Sequence, residues 1–240
     1  NDLVAASFGR GFYILDDYSP LRNFSNENLK SKGHLFPIKD GKWFIQRSNL
    51  GNTGADFYLA ENPKYGVTMT YHLSNNYETK SEKRKKSEKI LNQKLLDVAF
   101  PGYNNLDEEK NEISAYVKIS IEDQNGNIIR HLNERASKGT HRITWDLRHM
   151  FRGSVTDTNK KYNMRGPIVK PGKYSATLYL VESGSTTKLS EKKSFELKPI
   201  YKSTLEGTSF EDYNKYVDDY FEVYNELELI EHKLKTVDEK

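Results

Sequence analysis

The chain has 240 residues, 35% of them hydrophobic and 30% charged, enough for one sizeable core with or without appendages. Its 37 basic and 34 acidic residues leave a net charge of +3, without the strong basic bias of a nucleic-acid binder. Cysteine is absent, which removes disulfides and thiolate metal sites, and no run of about 18 apolar residues is present to span a bilayer.

The first predicted elements are two short strands, Leu3–Ser7 and Phe12–Asp16, joined by the glycine-rich turn Phe8-Gly9-Arg10-Gly11. The chain opens without Met and already within a strand, so it reads as a piece of a larger protein, with any targeting signal upstream. A polar stretch over residues 23–34 reads as a linker. Strand candidates follow at Trp43–Arg47, Ala55–Leu59 and Val67–Leu73, the last alternating apolar and polar residues as a half-buried strand does.

Residues 76–111 break this pattern. Glu78–Leu96 is free of Pro and Gly and rich in helix formers, with a charged face and a short apolar set in Ile90, Leu91, Leu95 and Leu96. It is predicted as a helical insertion that ends at Phe100-Pro101-Gly102-Tyr103. Strands resume at Ala115–Ile121, Ile128–Leu132 and Gly139–Leu147, with a hairpin turn at Asp123-Gln124-Asn125-Gly126. The turn Pro171-Gly172 leads to Tyr174–Val181, and Lys192–Leu197 closes that hairpin. Seven to nine short strands with turn signals between them point to a mainly β fold, an antiparallel β-sandwich over residues 35–200. From residue 201 the tail turns helical. Thr208 and Glu211 fit a capping box, and Phe210, Tyr213, Val217, Tyr220, Tyr224, Leu227, Ile230 and Leu234 recur at helical spacing. This amphipathic face needs a partner: the sandwich, another helix, or a second copy of the chain.

Candidate chemistry is sparse. Asp16 and Asp17 are adjacent, and neighbours in a strand point to opposite faces, so they make a poor glycosidase pair. The six histidines show no metal-ligand spacing. Asp123–Gly126 lacks the distal glutamate of a calcium loop, Gly9-Arg10-Gly11 lacks the lysine of a phosphate loop, and no G-x-S-x-G elbow is present. Lys83–Lys89 interleaves Glu with its basic residues and reads as a solvated face. No catalytic, cofactor or metal residues are assigned. Trp43, Tyr58, Tyr71 and Tyr77 are the candidates for stacking on a sugar ring. Trp145, Asp146, Pro171, Gly172 and Tyr174 are read as structural: a core ring, a strand-end hydrogen-bonding carboxylate, a tight turn, and the residue that resumes the strand.

Two stretches carry a family resemblance. Asp2–Asp17 followed by Ser19-Pro20-Leu21-Arg22 resembles the closing propeller-blade strands of bacterial BNR-repeat, sortilin-like glycosyl hydrolase-type proteins, with Ser7 and Tyr13 where Thr and Trp are usual. Gly139–Arg148 and Gly166–Tyr174, a G…W-D-L-R…P-G-x-Y layout, are similar to the C-terminal domain of the same proteins and to the Ig-like domain of flagellar hook-capping proteins. The resemblance implies that the sandwich over residues 35–200 is Ig-like and that residues 1–22 are a remnant of the last propeller blade. It also implies a non-catalytic accessory module in an extracytoplasmic protein, with the parent propeller as partner. A carbohydrate-binding module, or the rim of the parent's substrate cleft, is the alternative. Self-association through the C-terminal helix is a further expected contact, and neither nucleic acid nor membrane insertion is expected.

Overall fold

The computed structural model describes residues 2–46, 62–151, 166–201 and 207–238. The strand candidate at Ala55–Leu59 and the far end of Trp43–Arg47 lie outside them. Among the described residues the strands form three sheets, and the fold is mainly β.

Strands β1 (Leu3–Ser7) and β2 (Gly11–Leu15) form a separate hairpin. A 3-10 turn over Ser19–Asn23 and a single helical turn, α1 (Asn26–Lys30), lead into the body. The expected linker supplies more than a tether. β3 (Gly33–Leu35) pairs with β5 (Val67–Leu73), and Phe24 stacks on the buried Phe36 with ring centroids 4.8 Å apart. On its other side β5 pairs with β8 (Gly139–Trp145), which completes a three-stranded antiparallel sheet.

The larger sheet runs β4 (Gly41–Trp43), β11 (Lys193–Pro199), β9 (Gly172–Glu182), β6 (Tyr116–Asp123), β7 (Ile128–Arg135), with β10 (Ser185–Lys188) beside the far end of β9. One pair departs from the expected antiparallel arrangement: β4 and β11 run parallel, Gly41 opposite Leu197 and Trp43 opposite Pro199. They are the first and last strands of the sheet in sequence, so no local crossover constrains their direction. The inward faces of the two sheets share one core. Leu35, Met69, Tyr71 and Trp145 come from the smaller sheet, and Val117, Ile119, Leu178, Leu180 and Phe195 from the larger.

The W-D-L-R and P-G-x-Y segments meet in that core. Trp145 is fully buried, edge-on to Tyr174 at 5.4 Å and to Phe195 at 6.2 Å. Its indole N–H donates to the Arg148 carbonyl (2.9 Å), and the Arg148 amide donates to Asp146 Oδ1 (3.3 Å). Leu147 takes a positive φ of 58° to turn this corner, and the Arg148 guanidinium reaches the Gly166 carbonyl (3.0 Å). Pro171 precedes Gly172, where β9 begins, and the Tyr174 hydroxyl donates back to the Lys170 carbonyl (2.8 Å). Burial pushes the Tyr174 phenol up to about 12. These residues thus fix a corner by packing and hydrogen bonding, and the aromatic pairs add about 0.5–1.5 kcal/mol each beyond area burial.

The insertion contains two helices. α2 (Lys80–Gln93) starts on a capping box in which the Thr79 hydroxyl accepts from the Glu82 amide and Glu82 accepts from the Thr79 amide. α3 (Tyr103–Asn111) begins where Phe100-Pro101-Gly102-Tyr103 was expected only to end the insertion. The charged face holds the two together: Arg84 forks both oxygens of Glu109 at 2.8 Å and also meets Glu88, and Lys80 reaches Glu108 at 2.7 Å. The carboxyls of Glu108 and Glu109 sit below the usual range, chiefly because they accept these hydrogen bonds.

Candidate interaction surface

The β1–β2 hairpin is paired in register from Leu3 opposite Leu15 to Ser7 opposite Gly11. Gly9 and Gly11 take φ of 75° and 96°, which the tight connection requires and which glycine alone adopts readily. Val4, Ile14 and Phe12 lie on one face, Leu3, Leu15 and Tyr13 on the other. Every residue of both strands is exposed, Phe12 at 78% and Ile14 at 65%. An isolated two-stranded ribbon is marginal in water, and this one leaves apolar side chains open on both faces.

The hairpin is anchored at its base. The Asp17 amide donates to Asp2 Oδ1 (3.0 Å), a bond that holds the Asp2 carboxyl below its ordinary value. The Arg142 guanidinium on β8 donates to the carbonyls of Asp16 (2.7 Å) and Asp17 (2.6 Å). Asp17, at φ 48°, accepts on its carboxylate from the Ser19 amide (3.3 Å) and hydroxyl. The adjacent aspartates therefore serve the turn.

The second exposed apolar surface is α4 (Phe210–Asp238). Its cap lies one residue beyond the expected Thr208: the Ser209 hydroxyl accepts from the Asp212 amide (3.0 Å). The Ser209 hydroxyl also donates to Asp212 Oδ2 (2.7 Å), so Ser209 rather than Thr208 caps the helix. The first three turns lean on the β body. Phe210 meets Trp43, Glu211 reaches Lys170 at 3.7 Å, and Phe221 stands edge-on to Phe151 at 6.2 Å. A cavity of about 400 Å³ remains beneath, lined by Val217 and Asn214 from the helix and by Ile128, Ile129 and Pro167 from the body. On a separate stripe turned away from the body, Tyr216, Tyr220, Val223, Leu227, Ile230 and Leu234 are exposed.

The residues considered for sugar stacking are placed otherwise. Tyr71 is 1% exposed and sits in the core, with its phenol pushed up to about 12 by burial, so its expected stacking role is corrected. Its position settles this, since Tyr71 shares the face of β5 that carries Val67, Met69 and Leu73, and the alternation already contained the signal. Trp43 is half-buried, its N–H donating to the Val169 carbonyl at 2.7 Å. Tyr77 is half-buried against the core, with Lys32 Nζ 6.0 Å from its ring centre. Tyr58 lies outside the described residues. Asp123 accepts from the amides of Asn125 (2.8 Å) and Asn127 (2.9 Å), which accounts for the turn. No cluster of three metal-ligating side chains occurs among the described residues, and no helix among them is long and apolar enough to cross a membrane.

No family model matches the chain, and no curated protein matches it. Among solved structures, CopC from Methylosinus trichosporium OB3b is similar at 12% identity and a TM-score of 0.26, over 60% of this chain and 85% of that one.

Proposed function

We propose that this chain is a non-catalytic accessory module, an Ig-like β-sandwich at the C-terminal end of a larger, exported β-propeller protein, and that it stabilises or orients that propeller. The observation that carries the reading is the β1–β2 hairpin. It is fully paired internally, tied to the body through Arg142, and yet bare on both faces. A ribbon of this kind is stabilised when it joins a neighbouring sheet, which supplies main-chain partners to its edges and covers its side chains. The resemblance of Asp2–Asp17 to closing blade strands points to the same role. A glycan-binding face is less favoured, because Tyr71 is core and Trp43 is engaged by Val169 and Phe210.

The test is the pair Phe12→Lys and Ile14→Lys. Both side chains are solvent-exposed, so the isolated chain is expected to melt unchanged. In the intact protein the same pair is expected to lower the melting temperature of the preceding domain and to speed its proteolysis. Unchanged stability of the intact protein would overturn the proposal, as would glycan hydrolysis by the isolated chain.

A further inference from the structure

We infer that the exposed stripe of α4 is a self-association seam, on which a second copy of the chain packs its own α4 in antiparallel orientation. Tyr216, Tyr220, Val223, Leu227, Ile230 and Leu234 are separated by 4, 3, 4, 3 and 4 residues. That is the a/d spacing of a coiled-coil seam, narrower than the stripe that buries a helix on a globular body. The body is met by a different face, through Phe210, Asn214, Val217 and Phe221. The helix thus carries two apolar faces, and the heptad face is the open one. From Tyr216 to Leu234 it runs about 27 Å, at about 1.5 Å per residue. Two such seams with their flanking side-chain stems approach the roughly 800 Å² per partner of an ordinary stable interface.

Charge selects the orientation. In an antiparallel pair the layers are Tyr220 on Ile230, Leu227 on Val223 and Leu234 on Tyr216, each uniting an a with a d position. The residues bordering the seam on one side are Asp219, Glu226 and Lys233, all exposed. The same register sets Asp219 of each copy against Lys233 of the other, twice by symmetry, with a single Glu226–Glu226 approach at the axis. On the other border, beside the body-facing Val217, Tyr224 lies opposite its own copy. A parallel pair would instead set Glu226 against Glu231 twice and stack Tyr216 and Tyr220 on themselves. Antiparallel packing also opposes the helix dipoles.

Sedimentation of the whole chain across a concentration series is the primary test. A monomer–dimer equilibrium is expected, with Leu227→Glu raising the dissociation constant by roughly a hundredfold. Leu227 is exposed, so circular dichroism and melting of that variant are expected to match the parent. Asp219→Lys and Lys233→Asp should each weaken the dimer by about tenfold, two opposite-charge contacts becoming like-charge ones. The double variant Asp219→Lys/Lys233→Asp should restore it. The chain has no cysteine, so Glu226→Cys alone should cross-link through the axis while Tyr216→Cys should not. A strict monomer at high concentration overturns the inference, whether the face stays bare or another segment covers it. A dimer indifferent to Leu227→Glu, or no rescue by the double swap, also overturns it. Phe12→Lys leaves this dimer intact, so the helix seam and the hairpin's docking fail separately.

Discussion

The indole of Trp43 and the ring of Phe210 meet edge-on, centroids 5.1 Å apart and planes at 90°. This contact seats the first turn of α4 against β4, while the same indole donates its N–H to the Val169 carbonyl. One residue therefore couples the helix to the strand that pairs in parallel with β11.

Phe210→Ala removes an aromatic pair worth about 0.5–1.5 kcal/mol. The expected outcome is faster hydrogen exchange over residues 210–221 and a changed environment for Trp43. Tryptophan fluorescence reports it directly, since the chain has only two Trp and the other, Trp145, is fully buried. The β body should unfold at nearly its original urea midpoint.

Trp145→Ala should cost about 3–5 kcal/mol, as expected for loss of a large buried ring that leaves Tyr174 and Phe195 facing a cavity. The backbone around it is equally restrictive. Gly66 has φ of 125°, and a Cβ there would fall 1.8 Å from the Trp145 carbonyl oxygen. Gly66→Ala should therefore destabilise by more than the ~1 kcal/mol of an ordinary backbone strain. Urea unfolding of both variants checks the two claims.

Arg142→Ala should release the hairpin and leave the core untouched. Its guanidinium is exposed and bonds only the carbonyls of Asp16 and Asp17 among the described contacts. Global stability should shift within about 0.5 kcal/mol, while limited proteolysis after residue 15 should accelerate several-fold.

Acid should weaken the fold before its carboxylates titrate. Burial holds His34 and His131 below the ordinary 6.5, helped by Lys193 and His72 for the first and by Lys118 for the second. The unfolded chain then binds more protons than the folded one as pH falls. This contribution is whole above 6.5 and is lost as pH drops through 6.5 toward the depressed folded values. Among the described residues the buried Nδ1 of His131 meets no hydrogen-bond partner. His131→Gln should flatten the fall in urea midpoint between about pH 8 and about pH 5.

Much of the β architecture is written in local pattern. Val67–Leu73 was legible to the residue because its alternation is unbroken and Gly66 marks its start. Trp145 reads as a core ring and Asp146 as a strand-end carboxylate from their chemistry, and the structure buries the first and has the second accept from the Arg148 amide; the corner they form with Tyr174 is not a local signal. Three other features were not legible. Gly41–Trp43 pairs with Leu197–Pro199 across more than 150 residues, and no local signal specifies such a partner. α3 has little apolar periodicity and is held by the Arg84–Glu109 fork, a tertiary contact. β3 is three residues long, below what alternation can mark. At the candidate surface, the helical period of α4 was plain in the sequence. Its division into a body-facing stripe and an exposed heptad stripe needed the position of the β body.

The most direct test is hydrogen exchange at residues 3–15, measured in this chain alone and in the intact protein. The amides of Leu3–Leu15 should exchange rapidly in the isolated chain, as in a marginal ribbon. Under the proposed attachment to a propeller, they should be protected in the intact protein to the level of the propeller's own strands. Equal, rapid exchange in both would contradict the view that this chain is an accessory module joined through its hairpin to a neighbouring sheet.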